Sequence, residues 1–295
     1  MDFFISSLPQ CLMNGLTRGS IYALIAIGFT IIYNSTDILN FAQGEFAMLG
    51  GLIAISLASS FHLPLWAAVP GAVAAGVLIG ALFEAVTIHP LKSPTVINLI
   101  IITIGGSIFF KGAAMLIWGK DSHPLRAFTG TEPIHLGSAA VTPQSLWVWG
   151  ATLAAVIVLH QFFSRTITGK ALRACAHNRT ASSLMGINVR WMVLITFALS
   201  GGLGALAGVI ITPLIFANYQ VGTLIGLKGF CAAILGGMGS IYGAVLGGLL
   251  IGVLETLFGT HVSSGYMDAF AFVVMLLMLF VRPRGLLGEA AGERA

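Results

Sequence analysis

The residue types that carry out catalysis are scattered in this chain. Its seven histidines show none of the close spacings of a metal site such as His-Glu-x-x-His, since they occupy positions 62, 89, 123, 135, 160, 177 and 261. The sequence contains neither the Gly-x-Ser-x-Gly turn of a serine hydrolase nor a glycine-rich phosphate loop ending in Gly-Lys-Ser/Thr. We therefore predict no catalytic residue, no metal site and no bound cofactor for this chain.

Three acidic residues lie within strongly apolar sequence, where a charge is costly and calls for a partner or a function. Glu84 precedes Lys92, and we expect these two side chains to pair at the membrane interface. Glu255 has two interpretations that the sequence leaves open: it pairs with Lys228, or it faces a polar passage. Because Glu84, Glu255 and Asp268 fall on separate segments, the pattern disfavours an intramembrane hydrolase with paired carboxylates.

A polar run, Asn-Phe-Ala-Gln-Gly-Glu at residues 40–45, interrupts the apolar sequence. Amide and carboxylate groups at a helix break can line a solute path. We therefore treat Asn40, Gln43 and Glu45, together with Glu255, as candidates for a translocation path. The alternative is a plain loop in which Glu45 lies in the first turn of the next helix, where the helix dipole favours a carboxylate.

A basic, alanine-rich loop covers residues 164–192 and contains neither Asp nor Glu. Short loops rich in Lys and Arg remain in the cytosol. Thr168 as a cap and Gly186 after the last turn predict a helix that is too short and polar to span a membrane. Its alanines and glycines form a surface that fits the groove of a cytoplasmic partner, whereas a helix lying on the membrane would carry Trp, Phe and Leu.

The elements that position these residues must be membrane helices. Of 295 residues, 57% are hydrophobic and 8% are charged, whereas a soluble domain has about 25% charged residues. The net charge of +4 fits the cytosolic loops of a membrane protein, and without a basic stripe we expect no nucleic-acid binding. Three widely spaced cysteines, Cys11, Cys175 and Cys231, indicate no disulfide framework.

We predict an all-α, polytopic integral membrane helix bundle with about eight spans, forming a single domain over residues 1–295. The apolar segments are 12–33, 45–62, 65–88, 96–118, 145–163, 193–216, 227–258 and 266–281. The loop 119–144 mixes both signs of charge and suits the extracytoplasmic face. The tail 282–295 opens with Arg282 and Arg284, which suits the cytoplasmic face.

The segment 227–258 has a glycine-rich interruption at Gly236, Gly237, Gly239 and Ser240. If this segment crossed once, the arginines after residue 281 would arrive on the side opposite the basic loop. Irregular backbone is tolerated at membrane depth where it is buried in protein or lines a wet cavity. We therefore predict a re-entrant or broken helix pair here; the alternative is one long helix that packs through its small residues.

Four motifs in order resemble one transporter family. They are Asn-Gly-Leu-Thr-Arg-Gly-Ser-Ile-Tyr-Ala-Leu at 14–24, the polar run at 40–45, the Gly-x-Ala-x-Arg-Ala…Asn…Ala…Gly-Ile loop, and Ala-Ala-Ile-Leu-Gly-Gly-Met-Gly-Ser-Ile-Tyr-Gly-Ala at 232–244. Together they resemble the branched-chain amino-acid permeases of bacterial ABC importers, and in particular the shorter, LIV-H type subunit. The resemblance covers nearly the whole chain.

The resemblance implies a permease of the bacterial inner membrane that works by alternating access. It implies partners: a second homologous permease subunit, cytoplasmic ATPase subunits that use the ATP, and a periplasmic solute-binding protein. Residues 169–187 would be the coupling helix that docks into an ATPase, with matching positions at Gly169, Ala171, Arg173, Ala174, Asn178, Ala181 and Gly186.

Other functions stay open from the sequence. Related permeases carry urea or another small solute. A stand-alone secondary transporter or channel would also use broken helices and polar groups at mid-membrane, and would move solute without partners. An intramembrane enzyme would form product without partners, and the scattered polar residues speak against it.

Overall fold

A computed structural model of the protein describes residues 2–91, 95–130, 132–136 and 139–288. Up to the middle of the chain the elements are α1 (Asp2–Thr36), α2 (Gln43–Ser59), α3 (Leu65–Phe83) with a π-helical turn (Glu84–Ile88), α4 (Val96–Trp118), β1 (Ile134–Leu136) and β2 (Ala139–Val141). The remaining elements are α5 (Pro143–Arg165), α6 (Ile167–His177), α7 (Arg179–Leu184), α8 (Val189–Ile215), α9 (Val221–Gly236), α10 (Ile241–His261) and α11 (Met267–Val281). The strands form an antiparallel hairpin, and the rest is a helix bundle.

The apolar helices follow the predicted membrane segments. In the described part of the chain, six helices are long and apolar enough to cross a bilayer: α1, α3 with its π turn, α4, α5, α8 and α10. Three shorter apolar helices are α2, α9 and α11. The predicted segment 227–258 is divided between α9 and α10, so the broken helix pair is confirmed and the single long helix was wrong. The first half begins at Val221, earlier than predicted.

Helix α1 lies at the centre of the bundle, against α8, α9 and α10. Residues 19–32 are all buried, including the large side chains of Leu24 and Phe29. Helix α4 is the opposite case, because Ile101 and Leu116 are 61% and 83% exposed. In a membrane protein both helices can be equally apolar, since lipid and protein interiors are both apolar solvents. Burial therefore distinguishes the core helix from a lipid-facing one.

Small residues let the helix backbones touch. A Cβ atom added to Gly252 would collide with Gly19 of α1, and one added to Gly76 would come within 2.8 Å of the carbonyl oxygen of Gly201 on α8. Gly80 also faces α8. Without a hydrophobic driving force between helices in lipid, such close approach is a main source of attraction. These glycines thus build the α1–α10 and α3–α8 contacts.

The loops gather at two ends of the bundle. At the hairpin end, Gln10 bonds the backbone of Ala140 in the β hairpin, and the backbones of His123 and Ala217 pair. At the α6–α7 end, the Asn34 amide donates to the carbonyl of Gly239 at 2.8 Å. The basic loop and residues 282–288 thus share one end, and residues 119–130 and the hairpin share the other. Residues 289–295 of the predicted tail lie outside the described residues.

Candidate functional site

The basic loop folds into two helices, α6 and α7, and not into the single predicted helix. Helix α6 begins two residues before the expected position: the hydroxyl of its cap, Thr166, accepts a hydrogen bond from the Gly169 N–H at 2.9 Å, and Thr168 lies inside the helix. A Cβ on Gly169 would clash with the carbonyl of Phe162 and come within 2.7 Å of the Phe163 Cα. Gly169 therefore seats α6 against the end of α5.

Asn178 divides the two helices. Its backbone is extended, with φ of −154° and ψ of 107°, which ends α6. Its side-chain oxygen then accepts from the Ala181 N–H at 2.9 Å and caps α7, as asparagine often does. Gly186 has a left-handed φ of 86° directly after the C-cap, the position predicted for it. Asn178 thus sets the angle between the helices.

The two helices have a buried face and an exposed face. Leu172, Cys175 and Ser182 point into the bundle. The predicted docking residues Arg173, Ala174, Asn178 and Ala181 are exposed and Ala171 is half-buried. Two apolar side chains at the end of α7, Leu184 and Met185, are each 84% exposed. The exposed face combines small, basic and apolar groups, which suits a protein groove.

A cavity of about 440 Å³ lies beneath α6. Its lining comes from α1, α5, α6, α8 and the α9–α10 break, and its polar members include Asn34, His160, Arg173, Thr196 and Ser240. The α6–α7 unit also contacts the residue that follows α1, since an Arg179 guanidinium nitrogen lies 3.5 Å from an Asp37 carboxylate oxygen. A displacement of α6 and α7 would therefore act on the end of the core helix and on the break.

The polar run turns back into the bundle after α1 ends at Thr36. Asn40 and Gln43 are fully buried. The Gln43 amide donates to the Ser200 carbonyl at 3.1 Å, and the Ser200 hydroxyl shares its hydrogen between the Gln43 side-chain oxygen and, at 3.0 Å, the Gly28 carbonyl. The run thus anchors the start of α2 to the middle of α1 and α8. Of the plain-loop alternative, the position of Glu45 in the first turn of the next helix is confirmed.

Glu45 lies in the first turn of α2 and is 1% exposed. Its Oε1 accepts hydrogen bonds from the hydroxyls of Ser107 on α4 at 3.0 Å and Thr223 on α9 at 2.9 Å. Its Oε2 is buried and has no hydrogen-bond partner among the described residues. The site joins three helices through one carboxylate.

The α9–α10 break is built from its glycines. Gly237 and Gly239 have φ of 102° and 104°, which L-residues rarely adopt. Ser240 caps α10 by accepting from the Gly243 N–H at 3.1 Å. A Cβ on Gly236 would collide with the Gly243 backbone, so the two helices cross closely. The tail covers the turn, since the Leu286 N–H donates to the Leu235 carbonyl at 2.9 Å.

Glu255 is fully buried and pairs with Lys228, the first of the two alternatives that the sequence left open. The Lys228 Nζ lies 2.6 Å from Glu255 Oε1 and 2.5 Å from Asp268 Oδ1. Arg18 lies 3.6 Å from the same Glu255 oxygen, and the Tyr22 hydroxyl donates to it at 3.4 Å. This charge cluster ties α1, α9, α10 and α11 together.

Glu84 lies in the π-helical turn and is 1% exposed. Its Oε1 is 3.8 Å from the His89 Nδ1. The expected partner Lys92 lies outside the described residues.

Comparison with known proteins shows to which protein family the chain belongs. The sequence profile of the family described as "Branched-chain amino acid transport system / permease component" matches residues 11–281. The chain belongs to this permease family.

Two curated relatives of this permease are similar over almost their full length. The chain is 33% identical over 298 residues to the high-affinity branched-chain amino acid transport system permease protein LivH of Escherichia coli (strain K12), covering 97% of each chain. It is 35% identical over 299 residues to the corresponding protein BraD of Pseudomonas aeruginosa, again covering 97% of each. Among solved structures, PsaBC from Streptococcus pneumoniae in complex with Fab matches with a TM-score of 0.54 at 14% identity, covering 96% of each chain. The permease thus shares the fold of that structure.

Sequence reasoning about the permease missed several partners. Ser107, Thr223 and Ser200 are small hydroxyl residues within apolar helices, and no local pattern marks them. Asp268 was named, but its contact with Lys228 was not. The sequence offered one signal for these residues: each of them lies within a stretch so apolar that a polar side chain needs a partner.

Proposed function

We propose that this chain is the membrane-spanning permease subunit of an ATP-driven importer for branched-chain or related amino acids in the bacterial cytoplasmic membrane. The observation that carries the proposal is the similarity to branched-chain amino acid permeases along 97% of the chain. A helix bundle with the exposed face of α6 and α7 at one end supports it. The chain acts as a passage and not as an enzyme.

The partners follow from the same proposal. Separate cytoplasmic ATPase subunits hydrolyse the ATP and bind the exposed face of α6 and α7. A periplasmic binding protein delivers the amino acid to the hairpin end, and a second homologous permease completes the path. The α6–α7 end is then cytoplasmic, and the hairpin end, with residues 119–144, is extracytoplasmic.

The coupling step is mechanical. Closure of the ATPases displaces α6 and α7, which are stiff because Gly169 packs on the end of α5 and Asn178 caps α7. The contact between Arg179 and Asp37 carries the displacement to the end of α1. Since the polar run follows α1 directly, the displacement opens and closes the bundle by alternating access.

Substitution of Asn178 tests this coupling. Asn178→Ala removes the α7 cap, which costs a helix about 1 kcal/mol, so the angle between α6 and α7 is no longer fixed. In proteoliposomes with the whole importer, we expect leucine uptake per ATP hydrolysed to fall about fivefold. Asn178→Asp keeps a capping oxygen and serves as the matched control, with a ratio near that of the wild type.

A double variant completes the experiment. With Arg173→Ala added to Asn178→Ala, the protein should remain in the membrane while ATP hydrolysis proceeds without uptake. Full uptake by the double variant would reject the coupling role. Uptake of urea and not leucine by the wild-type importer would reject the amino-acid assignment, and uptake by this chain without partners would indicate a secondary transporter or channel.

A further inference from the structure

A second, smaller cavity lies beside Glu45, between α4 and α9. It has a volume of about 160 Å³, equal to the liquid volume of about five water molecules. Its walls are mostly apolar and aromatic, with Phe29, Phe41, Ile104, Ile108, Leu227 and Phe230 among them. The ring centroids of Phe29 and Phe41 lie 5.8 and 6.0 Å from that of Phe230. The cavity therefore suits a small aliphatic group.

The polar side chains that line the cavity are the hydroxyls of Ser107 and Thr223. Both donate their single hydrogen to Glu45 Oε1, at 3.0 and 2.9 Å. A hydroxyl that donates elsewhere offers only lone pairs to a further partner. The two hydroxyls thus present hydrogen-bond acceptors to the cavity, where a donor can bind them.

The second oxygen of the carboxylate lies next to Gly222, a residue that lines the cavity. Glu45 Oε2 is buried without a hydrogen-bond partner among the described residues. Gly222 lines the cavity, and a Cβ atom on it would collide with Glu45 Oε2. The missing side chain at Gly222 therefore leaves the carboxylate close to the cavity. A buried carboxylate that keeps one oxygen without a partner is costly, and a positive charge held in the cavity would offset part of that cost.

We propose that Glu45, Ser107 and Thr223 form a binding site for a primary ammonium group carried on a small aliphatic body that fills the aromatic cavity. The ammonium donates to the two hydroxyl oxygens, with the carboxylate behind them supplying the negative charge. The inference rests on the proposed function for its substrate class, since a branched-chain amino acid has both features. The importer then has a permease subsite that recognises the amino group.

The test uses purified whole importer in lipid nanodiscs and two probes measured by saturation-transfer NMR and calorimetry. The probe 3-methylbutylamine has the ammonium and the aliphatic chain, whereas 4-methylpentanoate has the chain with a carboxylate and no ammonium. We expect the amine to bind the wild type and compete with leucine, and the carboxylate to bind at least tenfold more weakly. Equal binding of the two probes would overturn the site.

Three variants locate the binding. Glu45→Gln should weaken amine binding about tenfold or more, because a hydrogen-bonded charge is removed. Thr223→Val removes one acceptor while keeping the shape, and should weaken it severalfold, whereas Thr223→Ser keeps the hydroxyl and should bind as the wild type does. Glu84→Gln replaces another buried carboxylate and serves as the control.

The outcomes separate this site from the proposed function. Amine affinities of Glu45→Gln and Thr223→Val within twofold of the wild type would overturn the site, even if leucine uptake is intact. If the wild-type importer takes up no leucine but the amine binds and both variants lose it, the ammonium site stands and the transport assignment fails. Thr223→Val keeps the proposal falsifiable if Glu45→Gln does not fold.

Discussion

Replacing Lys228 with methionine would remove the cation that two carboxylates share inside the bundle. The Lys228 side chain is 8% exposed, its Nζ lies 2.6 Å from Glu255 Oε1, and Glu255 has no exposed surface. Breaking a buried ion pair by removing one partner costs about 3–5 kcal/mol, because the remaining charge stays buried. Arg18 at 3.6 Å compensates part of that charge, so we expect the lower end of the range.

The neighbouring carboxylates should respond differently. Asp268 is 64% exposed, and a solvent-exposed ion pair contributes about 0–1 kcal/mol, so Asp268→Asn should have little effect. Glu255→Gln leaves Lys228 paired with Asp268 and should cost less than Lys228→Met. In the double variant Lys228→Met/Glu255→Gln neither charge is stranded, so its cost should be smaller than the sum of the single costs by about 2 kcal/mol.

The measurement is reversible unfolding of the full chain in mixed detergent micelles by SDS titration, followed by far-UV circular dichroism. A loss of about 3 kcal/mol lowers the ratio of folded to unfolded protein more than a hundredfold. Two results would refute the reasoning: a Lys228→Met cost below 1 kcal/mol, or single costs that simply add in the double variant. Either one would mean that the pair is hydrated or that the charges are not coupled.

Two further predictions concern topology and packing. The native cysteines are buried, so a membrane-impermeant maleimide should react only with an introduced cysteine. Met185→Cys, at an 84% exposed position, should be labelled from the cytosolic side only, and Asp121→Cys from the periplasmic side only. The reverse labelling pattern would contradict the proposed orientation. Gly208→Ala would place a Cβ atom 2.6 Å from the carbonyl carbon of Ala47. This clash should lower the free energy of unfolding in the SDS titration by about 1–3 kcal/mol. A Cβ atom added at Gly150 would meet no atom within 4 Å, so Gly150→Ala should be neutral or stabilise the protein by up to about 1 kcal/mol. Equal effects of the two substitutions would contradict the packing argument.

Local sequence determined the apolar helices and several of the points where helices end. Gly237 and Gly239 mark the α9–α10 break because glycine adopts positive φ without strain. Gly186 marks the end of α7 for the same reason. The cap of α6 was predicted wrongly, because Thr166 and Thr168 are equivalent as N-caps in the sequence. The contact of Gly169 with the end of α5 selects Thr166.

Apolar composition by itself determined that the chain lies in a bilayer, since this many uncharged residues cannot be hidden in one soluble core. It could not decide which helix is central, because lipid and protein are equally apolar neighbours. Only the tertiary structure enclosed α1, joined Glu45 to Ser107 and Thr223, and decided between the two interpretations of Glu255 in favour of its pairing with Lys228. These partners come from helices distant in sequence, and their meeting depends on how the helices pack, which no local pattern encodes.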